Sequence, residues 1–176
     1  MQRKTGLLMI LAVLLIFSTT ACGKQTPDPE AYETYTSEIN GFSVVLPKGY
    51  TAEEDSLTDD GKMGMARFTV EGGDVGIVLD ARSGGEDPLP DTKKAYQEQN
   101  PEEEVLQFTN LSKAGEFDGY KVMMKIKDSK KIGLLYVYRF GDTEVTVAAK
   151  AEDKKQAKFL EVGLDQIRLP QSKGVL

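Results

Sequence analysis

The chain is 176 residues long and acidic, with 22 Lys and Arg against 28 Asp and Glu and a formal net charge of −6. This charge balance argues against nucleic-acid binding, which draws its affinity from clustered Lys and Arg. Histidine is absent and Cys22 is the only cysteine. The chain therefore cannot form a Ser-His or Cys-His nucleophile arrangement, a zinc site of Cys and His, or an internal disulfide.

The first residues have the anatomy of an export signal. Arg3 and Lys4 make a basic start, residues 7–17 are an unbroken apolar run, and residues 18–21 are small and mostly polar. The apolar run has about 11 residues, whereas a helix needs roughly 20 to cross the hydrocarbon of a bilayer. This pattern predicts a targeting segment and not a permanent transmembrane anchor.

Cys22 follows this segment directly, within the sequence Thr20-Ala21-Cys22-Gly23. These residues resemble the end of a bacterial lipobox, and the resemblance implies cleavage before Cys22 and attachment of a diacylglyceryl group to its sulfur. One position departs from the pattern, because Thr19 stands where an aliphatic residue is usual. Ordinary signal cleavage, with Thr19 and Ala21 as the small-residue pair, is the alternative.

The whole chain is predicted to divide into four parts. Residues 1–21 are a lipoprotein signal peptide, and residues 22–37 are a polar, flexible tether that spans on the order of 20 Å. Residues 38–171 form one domain, which agrees with the usual domain size of about 100–200 residues, and residues 172–176 are a tail. Localisation follows: the domain is expected outside the cytoplasm, held to the cell membrane through lipid on Cys22.

Alternating apolar and polar residues predict a β-sheet. Six segments show this period of two or are apolar on both faces, at residues 42–46, 66–70, 75–81, 120–127, 132–140 and 145–149. Turn pairs such as Asn40-Gly41 and Gly141-Asp142 separate strands, and connections this short leave no room for crossover helices. We therefore expect antiparallel pairing, with residues 132–140 covered on both faces.

The clearest helix begins near Asp153, which can cap it because Gln156 follows three residues later. Its inner face is predicted from the helical spacing and consists of Ala157, Leu160, Leu164 and Ile167. As an alternative for the end of this segment, residues 167–169 close the domain as an edge strand before Pro170.

A second helix is predicted over residues 92–100, with Thr92 as its cap and Pro101 as its stop. The side chains expected to face the sheet are Ala95, Tyr96 and Gln99. Strands and helices together predict an α+β domain.

A family resemblance covers about residues 38–170. Residues 40–47 read Asn-Gly-Phe-Ser-Val-Val-Leu-Pro, four or more strands follow, and a closing helix runs into residues 167–169. This order resembles the PsbP-like domain family, which includes photosystem extrinsic proteins, a nuclear-import accessory protein and many bacterial lipoproteins. The resemblance implies a PsbP-like α/β/α sandwich, in which helices pack on both faces of an antiparallel sheet, and a binding or accessory role. It carries over no functional residue.

Asp55, Asp59 and Asp60 before Gly61 suggest a calcium loop, because hard cations bind several carboxylate oxygens from one flexible segment. The spacing does not fit the EF-hand register, and Arg67 stands near the position where a bidentate glutamate is required. A solvated turn is the better interpretation. The sequence predicts no metal site and no cofactor.

Met63, Met65, Met123 and Met124 are candidate thioether ligands of copper(I), which prefers soft sulfur. Adjacent Met123 and Met124 point to opposite faces of a strand, so they do not readily share one ion. Packing in the core or beneath a helix is the favoured interpretation of these methionines.

Lys125, Lys127, Lys130 and Lys131 form a candidate contact with anionic lipid or an acidic partner beside the membrane. They cluster at the end of a predicted hairpin. A charged hairpin edge that prevents strand-to-strand aggregation explains them equally well. The three glutamates at residues 102–104 are predicted to be a solvated loop.

These observations predict a non-catalytic binding or accessory module that acts on another envelope protein while anchored to the membrane. A solute- or cation-binding lipoprotein is the alternative, and it requires a concave pocket lined by tyrosines or acids. A hydrolase that uses carboxylates alone is a third interpretation, although no pair of acids stands out in the sequence.

Overall fold

The computed structural model describes residues 30–57, 63–71, 73–81 and 88–169. Cys22 and the predicted signal segment at residues 1–21 lie outside the described residues, as does the predicted tail at residues 172–176.

The described residues contain nine strands and two helices. The strands are β1 Tyr32–Thr36, β2 Ser43–Pro47, β3 Thr51–Leu57, β4 Met63–Val70, β5 Gly73–Ala81, β6 Glu104–Asn110, β7 Asp118–Lys125, β8 Ile132–Phe140 and β9 Thr143–Ala151. The helices are α1 Lys93–Gln99 and α2 Lys154–Leu164.

Seven of the strands form one sheet in the order β3-β4-β5-β9-β8-β7-β6, and every neighbouring pair is antiparallel. A tight turn joins β8 to β9, where Gly141 adopts a left-handed φ of 53° that suits glycine. β1 and β2 form a separate antiparallel pair. The predicted antiparallel sheet is confirmed.

The main core lies between the large sheet, β2 and α2. Its largest fully buried side chains are Phe42, Leu46, Phe68, Ile77, Tyr136, Leu160 and Leu164. Burying a side chain of this size stabilises a fold by roughly 1.5–3 kcal/mol. This cluster is therefore a main source of the domain's stability.

α2 begins where the sequence predicts. Asp153 caps the helix, since its Oδ1 accepts a hydrogen bond from the Gln156 backbone N–H at 2.8 Å. The Gln156 side chain in turn accepts from the Glu152 backbone N–H at 2.6 Å, which makes a reciprocal cap. The predicted inner face is confirmed for Ala157, Leu160 and Leu164, which are buried.

The end of the chain after α2 forms a short edge pairing. Ser43 and Arg168 exchange backbone hydrogen bonds at 2.9 and 2.8 Å in an antiparallel bridge. Of the edge strand predicted as the alternative for residues 167–169, the structure contains this single bridge at Arg168. The prediction that Ile167 belongs to the helix is wrong, because α2 ends at Leu164.

α1 packs with a second, smaller cluster. Thr92 caps α1 as predicted, and the buried Tyr96 ring contacts Phe108 and Tyr120 at centroid distances of 6.1 and 5.6 Å. The prediction that Gln99 faces the sheet is wrong, because Gln99 is exposed. The short helix turns only one residue, Tyr96, into a buried position.

The folded domain includes residues that precede residue 38, its predicted start. β1 lies within the segment predicted to be a flexible tether and pairs with β2 from Tyr32 opposite Pro47 to Thr36 opposite Ser43. The buried Tyr32 also donates its hydroxyl hydrogen to the Phe159 carbonyl at 2.8 Å.

The structure is mostly antiparallel strand. Its two helices have 7 and 11 residues, which is less helix than the predicted layers on both faces of the sheet suggest. No helix in the described part of the chain is both long and apolar enough to cross a bilayer.

Candidate functional site

The four predicted contact lysines lie around the connection from β7 to β8. Three of them pair with carboxylates: Lys125 with Glu104 at 2.5 Å, Lys127 with Glu102 at 3.2 Å and Lys131 with Glu152 at 2.5 Å. Lys130 is exposed. Because neighbouring acids offset most of this positive charge, the group attracts an anionic surface less than four free lysines would.

The glutamates at residues 102–104 are not all free in a loop. Glu104 begins β6, and Glu103 accepts a hydrogen bond from the Tyr96 hydroxyl at 2.6 Å. Burial, followed by this hydrogen bond, raises the pKa of Tyr96. The solvated-loop prediction is therefore wrong for Glu103 and Glu104, which secure β6 and α1.

The predicted calcium loop is only partly visible. Asp55 lies in β3, whereas Asp59, Asp60 and Gly61 lie outside the described residues. Among the residues that the structure describes, no three Cys, Asp or Glu side chains are grouped so that they could hold a metal ion.

The methionines divide between surface and interior. Met63 and Met65 are 37% and 41% exposed on β4, so the prediction that they pack in the core is wrong. Strand alternation instead turns Ala66 and Phe68 inward. Met123 belongs to the main core and Met124 to the second cluster, which confirms that these two point to opposite faces.

A buried ionic network ties α2 to the sheet, and the sequence analysis missed it. Lys121 on β7 lies 2.9 Å from Glu161 and 2.8 Å from Asp165. Asp165 also accepts a hydrogen bond from the Tyr136 hydroxyl at 3.0 Å, and Lys158 donates to Glu161 at 2.6 Å. We call these five residues the Lys121 network.

The network favours the ionised forms of Lys121 and Glu161. Burial alone would lower the pKa of Lys121, but hydrogen bonds to Asp165 and Glu161 outweigh it and raise that pKa. Burial alone would raise the pKa of Glu161, yet hydrogen bonds from Lys158 and Lys121 lower it. Each buried charge thus has an opposite charge beside it.

The Lys121 network has no room for a substrate. The small gap beside Lys121, Tyr136 and Glu161 does not admit even a water-sized sphere. Two lysines and two carboxylates also balance one another in charge. The geometry is that of a structural tie and not of an open catalytic centre.

A second feature is a part of the sheet that no described helix covers. On the side opposite the main core, register pairs align Met65 with Val78 and Thr146, and Arg67 with Gly76 and Ala148. We call these six residues, on β4, β5 and β9, the open face. Met65, Arg67 and Ala148 are exposed, and the other three are half-buried.

A third feature is a groove of about 540 Å³ on the outer side of β1 and β2. The residues lining this hairpin groove are Tyr32, Glu33, Thr34, Thr36, Ser43, Val45, Gln166 and Arg168. Hydroxyl, amide and guanidinium groups therefore dominate its polar lining. Its volume lies within the range of about 300–1,000 Å³ that is usual for small-molecule sites.

A smaller pocket of about 170 Å³ lies on the inner side of β1, lined by Tyr35, Leu46, Tyr50, Phe68 and neighbouring residues. The Tyr50 hydroxyl is buried and has no hydrogen-bond partner among the described residues. Burial, together with the charge of Asp74, raises the pKa of Tyr50 to about 12. Its lining thus combines apolar side chains with hydroxyl groups and one acidic residue, Glu33.

Neither a protein-family model nor a curated protein matches the chain in sequence. Solved structures do match it in fold. The solution structure of cyanobacterial PsbP (CyanoP) from Synechocystis sp. has a TM-score of 0.52 and 10% sequence identity, and the match covers 86% of this chain and 98% of that one.

Two further structures are similar to a lower degree. The Saccharomyces cerevisiae Ran-binding protein Mog1p has a TM-score of 0.47 at 13% identity, with 78% of this chain and 95% of that chain covered. A Bacteroides thetaiotaomicron protein has a TM-score of 0.40 at 12% identity, with 81% and 50% covered. The match to cyanobacterial PsbP shows that the chain has a PsbP-like fold.

Proposed function

We propose that this protein is a lipid-anchored accessory module outside the cytoplasm that binds another envelope protein and has no catalytic role. The open face is the observation that carries the proposal. It presents exposed apolar side chains on a part of the sheet that no described helix covers, and such a surface on a folded domain is typical of a protein interaction site. The export pattern that ends at Cys22 supports the lipid-anchored location outside the cytoplasm.

The open face has the composition of a protein interface. Met65, Val78 and Ala148 form an apolar centre, and Met side chains adapt to partners of different shape. At the margin, Arg67 lies 3.7 Å from Glu53 in an exposed ion pair. An apolar centre with a polar rim is the arrangement that non-obligate interfaces share.

The point where the chain enters the domain suggests how the domain is oriented relative to the membrane. The Lys48 backbone N–H donates to the Ala31 carbonyl at 3.0 Å, so the chain enters the domain where β2 leads into β3. The strand registers place this point and the β7–β8 connection at the same end of the sheet. We propose that this end faces the membrane, with Lys130 nearest the lipid and the open face directed sideways.

We also propose that α1 and α2 lie on opposite faces of the large sheet. Val122 and Met123 are neighbours in β7 but belong to the second cluster and the main core, respectively. α1 packs with the second cluster and α2 with the main core. This division supports a PsbP-like α/β/α sandwich with one helix on each face.

A solute-binding lipoprotein is the second candidate, and the hairpin groove favours it. The groove is concave, is lined by Tyr32 and Glu33 among other polar residues, and has the size of a ligand site. We do not favour a hydrolase, because the buried carboxylates of Glu161 and Asp165 are engaged by Lys121 in a closed network.

The lipid anchorage is tested by the Cys22→Ser variant, with Ser18→Ala as a control within the signal segment. We expect the Cys22→Ser protein to leave the membrane fraction or to accumulate uncleaved, because the lipid has no sulfur to join. Fractionation and mass spectrometry of the N-terminus measure both. If the Cys22→Ser variant were cleaved normally and fully retained in the membrane fraction, lipid anchorage through Cys22 would be contradicted.

The partner is tested by placing a photo-reactive amino acid at Met65 in intact cells. The matched control carries it at Ile39, which is 55% exposed and lies outside the open face. We expect one envelope protein to crosslink to the residue at position 65 and not to the residue at position 39. Only residues within an interface contact the partner closely enough to react. Identical products from both positions, or none from Met65, would contradict the proposal.

A further inference from the structure

We propose that the hairpin groove binds an oxyanion, the carboxylate or phosphate group of a small solute, and that Arg168 is its main contact. This inference rests on the second candidate function, a solute-binding lipoprotein, and names the chemical class of the ligand. It is independent of the open face, which lies on a different part of the domain.

The fold holds Arg168 over the groove. The backbones of Arg168 and Ser43 exchange two hydrogen bonds, since each N–H donates to the carbonyl of the other residue. The side chains of two residues paired in this way point to the same side. Ser43 points outward, because its neighbour Val44 is fully buried. The Arg168 side chain therefore projects from the same outer surface that forms the groove floor.

Three hydroxyl groups lie on that floor. Thr36 is paired with Ser43, and Thr34 with Val45 two residues along each strand. The intervening Tyr35 points inward, where its ring contacts Phe68 at 4.7 Å. The hydroxyls of Thr34, Thr36 and Ser43 thus form an array of donors beside one guanidinium, which is the chemistry that carboxylate and phosphate groups accept.

Arg168 also differs from the other arginines of the described part of the chain. Arg67 lies 3.7 Å from Glu53, and Arg139 lies 2.8 Å from Glu144. No carboxylate among the described residues lies within ion-pair distance of Arg168. A guanidinium without a carboxylate partner retains its planar set of donors for a ligand.

The groove also sets the position of the ligand's charge. Glu33 is paired with Leu46, which is buried in the core, so the Glu33 side chain points to the inner side of the hairpin. Among the residues that line the groove, Arg168 is therefore the charged side chain on the outer surface. An anionic group is attracted to it, and we expect a solute whose oxyanion lies at Arg168.

The test is an NMR titration of the mature protein in nonionic detergent, with inorganic phosphate and acetate as probes. We expect saturable shifts for residues of β1, β2 and 166–168, with a dissociation constant of about 1 mM for such small probes. Arg168→Gln should weaken this binding at least about tenfold, because it removes the charged donor pair. Thr36→Val should weaken it a few-fold.

The matched control is Lys94→Gln, which removes one positive charge from an exposed position on α1, outside the groove. We expect it to change the affinity less than about twofold, since exposed charges at a distance are screened. If Arg168→Gln and Lys94→Gln weaken binding equally, or if neither probe nor lipid saturates the groove, the proposal is overturned.

A third probe, short-chain phosphatidylglycerol, separates the two sources of the oxyanion. Binding of this lipid alone, lost in Arg168→Gln, would support the site and assign it to a lipid headgroup. Binding of inorganic phosphate or acetate would support a free solute. Both results concern the isolated protein, so they stand apart from any result at the open face.

Discussion

At the scale of single residues, the most informative position is Lys121. Its ammonium group lies between two carboxylates that belong to α2 and to the residue following it. A buried charge is costly when it is alone but tolerable when it is paired and hydrogen-bonded. The Lys121 network therefore fixes how α2 sits on β7 and β8, since another placement would leave a buried charge unpaired.

Lys121→Met should destabilise the domain by roughly 3 kcal/mol, because it leaves the half-buried Asp165 without a cation and Glu161 with Lys158 alone. Lys125→Met is the matched control on the same strand, where the Lys125–Glu104 pair is exposed. Its cost should stay below about 1 kcal/mol. Urea unfolding of both variants measures the difference, and equal costs would show that the network is not a structural tie.

At the scale of elements, α2 lies in close contact with β2. A Cβ added at Gly163 would lie 2.3 Å from the Val45 carbonyl oxygen. Glycine lets the helix lie directly against the strand edge, and this contact positions both β2 and the groove on its outer side. Close packing of this kind depends on the absence of a single methyl group.

Gly163→Ala should therefore destabilise the domain by about 2 kcal/mol, even though alanine favours a helix by about 1 kcal/mol. Gly76→Ala is the control, because a Cβ there meets only the Ala148 carbonyl oxygen at 4.0 Å. That variant should keep or raise the melting temperature. A stable Gly163→Ala protein would mean that α2 lies farther from β2.

Elements with a strong period were predictable from the sequence. β8 was located at residues 132–140 without error, because it is apolar on both faces, and α2 was located from its cap and apolar spacing. β1, β3 and β6 were missed. β1 reads Tyr-Glu-Thr-Tyr-Thr and β3 Thr-Ala-Glu-Glu-Asp-Ser-Leu, so polar side chains hide the alternation, and pairing with neighbours makes them strands.

The candidate sites were less predictable than the strands, because they depend on contacts between distant residues. Lys121 and Asp165 are 44 residues apart, and no local pattern connects them. Arg168 reaches the hairpin groove only through its bridge to Ser43. The open face was also hidden, since an alternating strand does not indicate which of its faces a helix leaves uncovered.

At the scale of the whole molecule, the absence of histidine in the sequence shapes the response to pH. The lowered pKa of Glu161 stabilises the fold above its ordinary value of 4.5, and this contribution is lost as pH falls through the folded-state pKa. The raised pKa of Lys121 stabilises the fold below 10.5, and this contribution is lost as pH rises further.

We therefore expect a stability plateau from about pH 5 to pH 9, where few groups titrate. Stability should fall below about pH 4.5 and again above about pH 10, since burial also raises the pKa values of Tyr96, Tyr120, Tyr136 and Tyr138. Urea midpoints measured across this range test the expectation. A marked loss between pH 6 and pH 8 would contradict it.

The whole molecule also separates its proposed tasks in space. The tether enters at one end, the open face occupies one side of the sheet, and the hairpin groove lies in the layer that covers the other side. Anchoring, partner binding and ligand binding can therefore be altered one at a time. This separation allows a substitution that changes the open face without changing the fold.

The most direct measurement of the central claim is the yield of the Met65 crosslink in a Gly76→Gln protein. Gly76 lies in the middle of the open face, where an added Cβ meets only the Ala148 carbonyl oxygen at 4.0 Å, so the melting temperature should be retained. The account predicts that the Met65 crosslink disappears, because the added side chain projects into the interface. An unchanged yield from the folded variant would contradict binding through the open face.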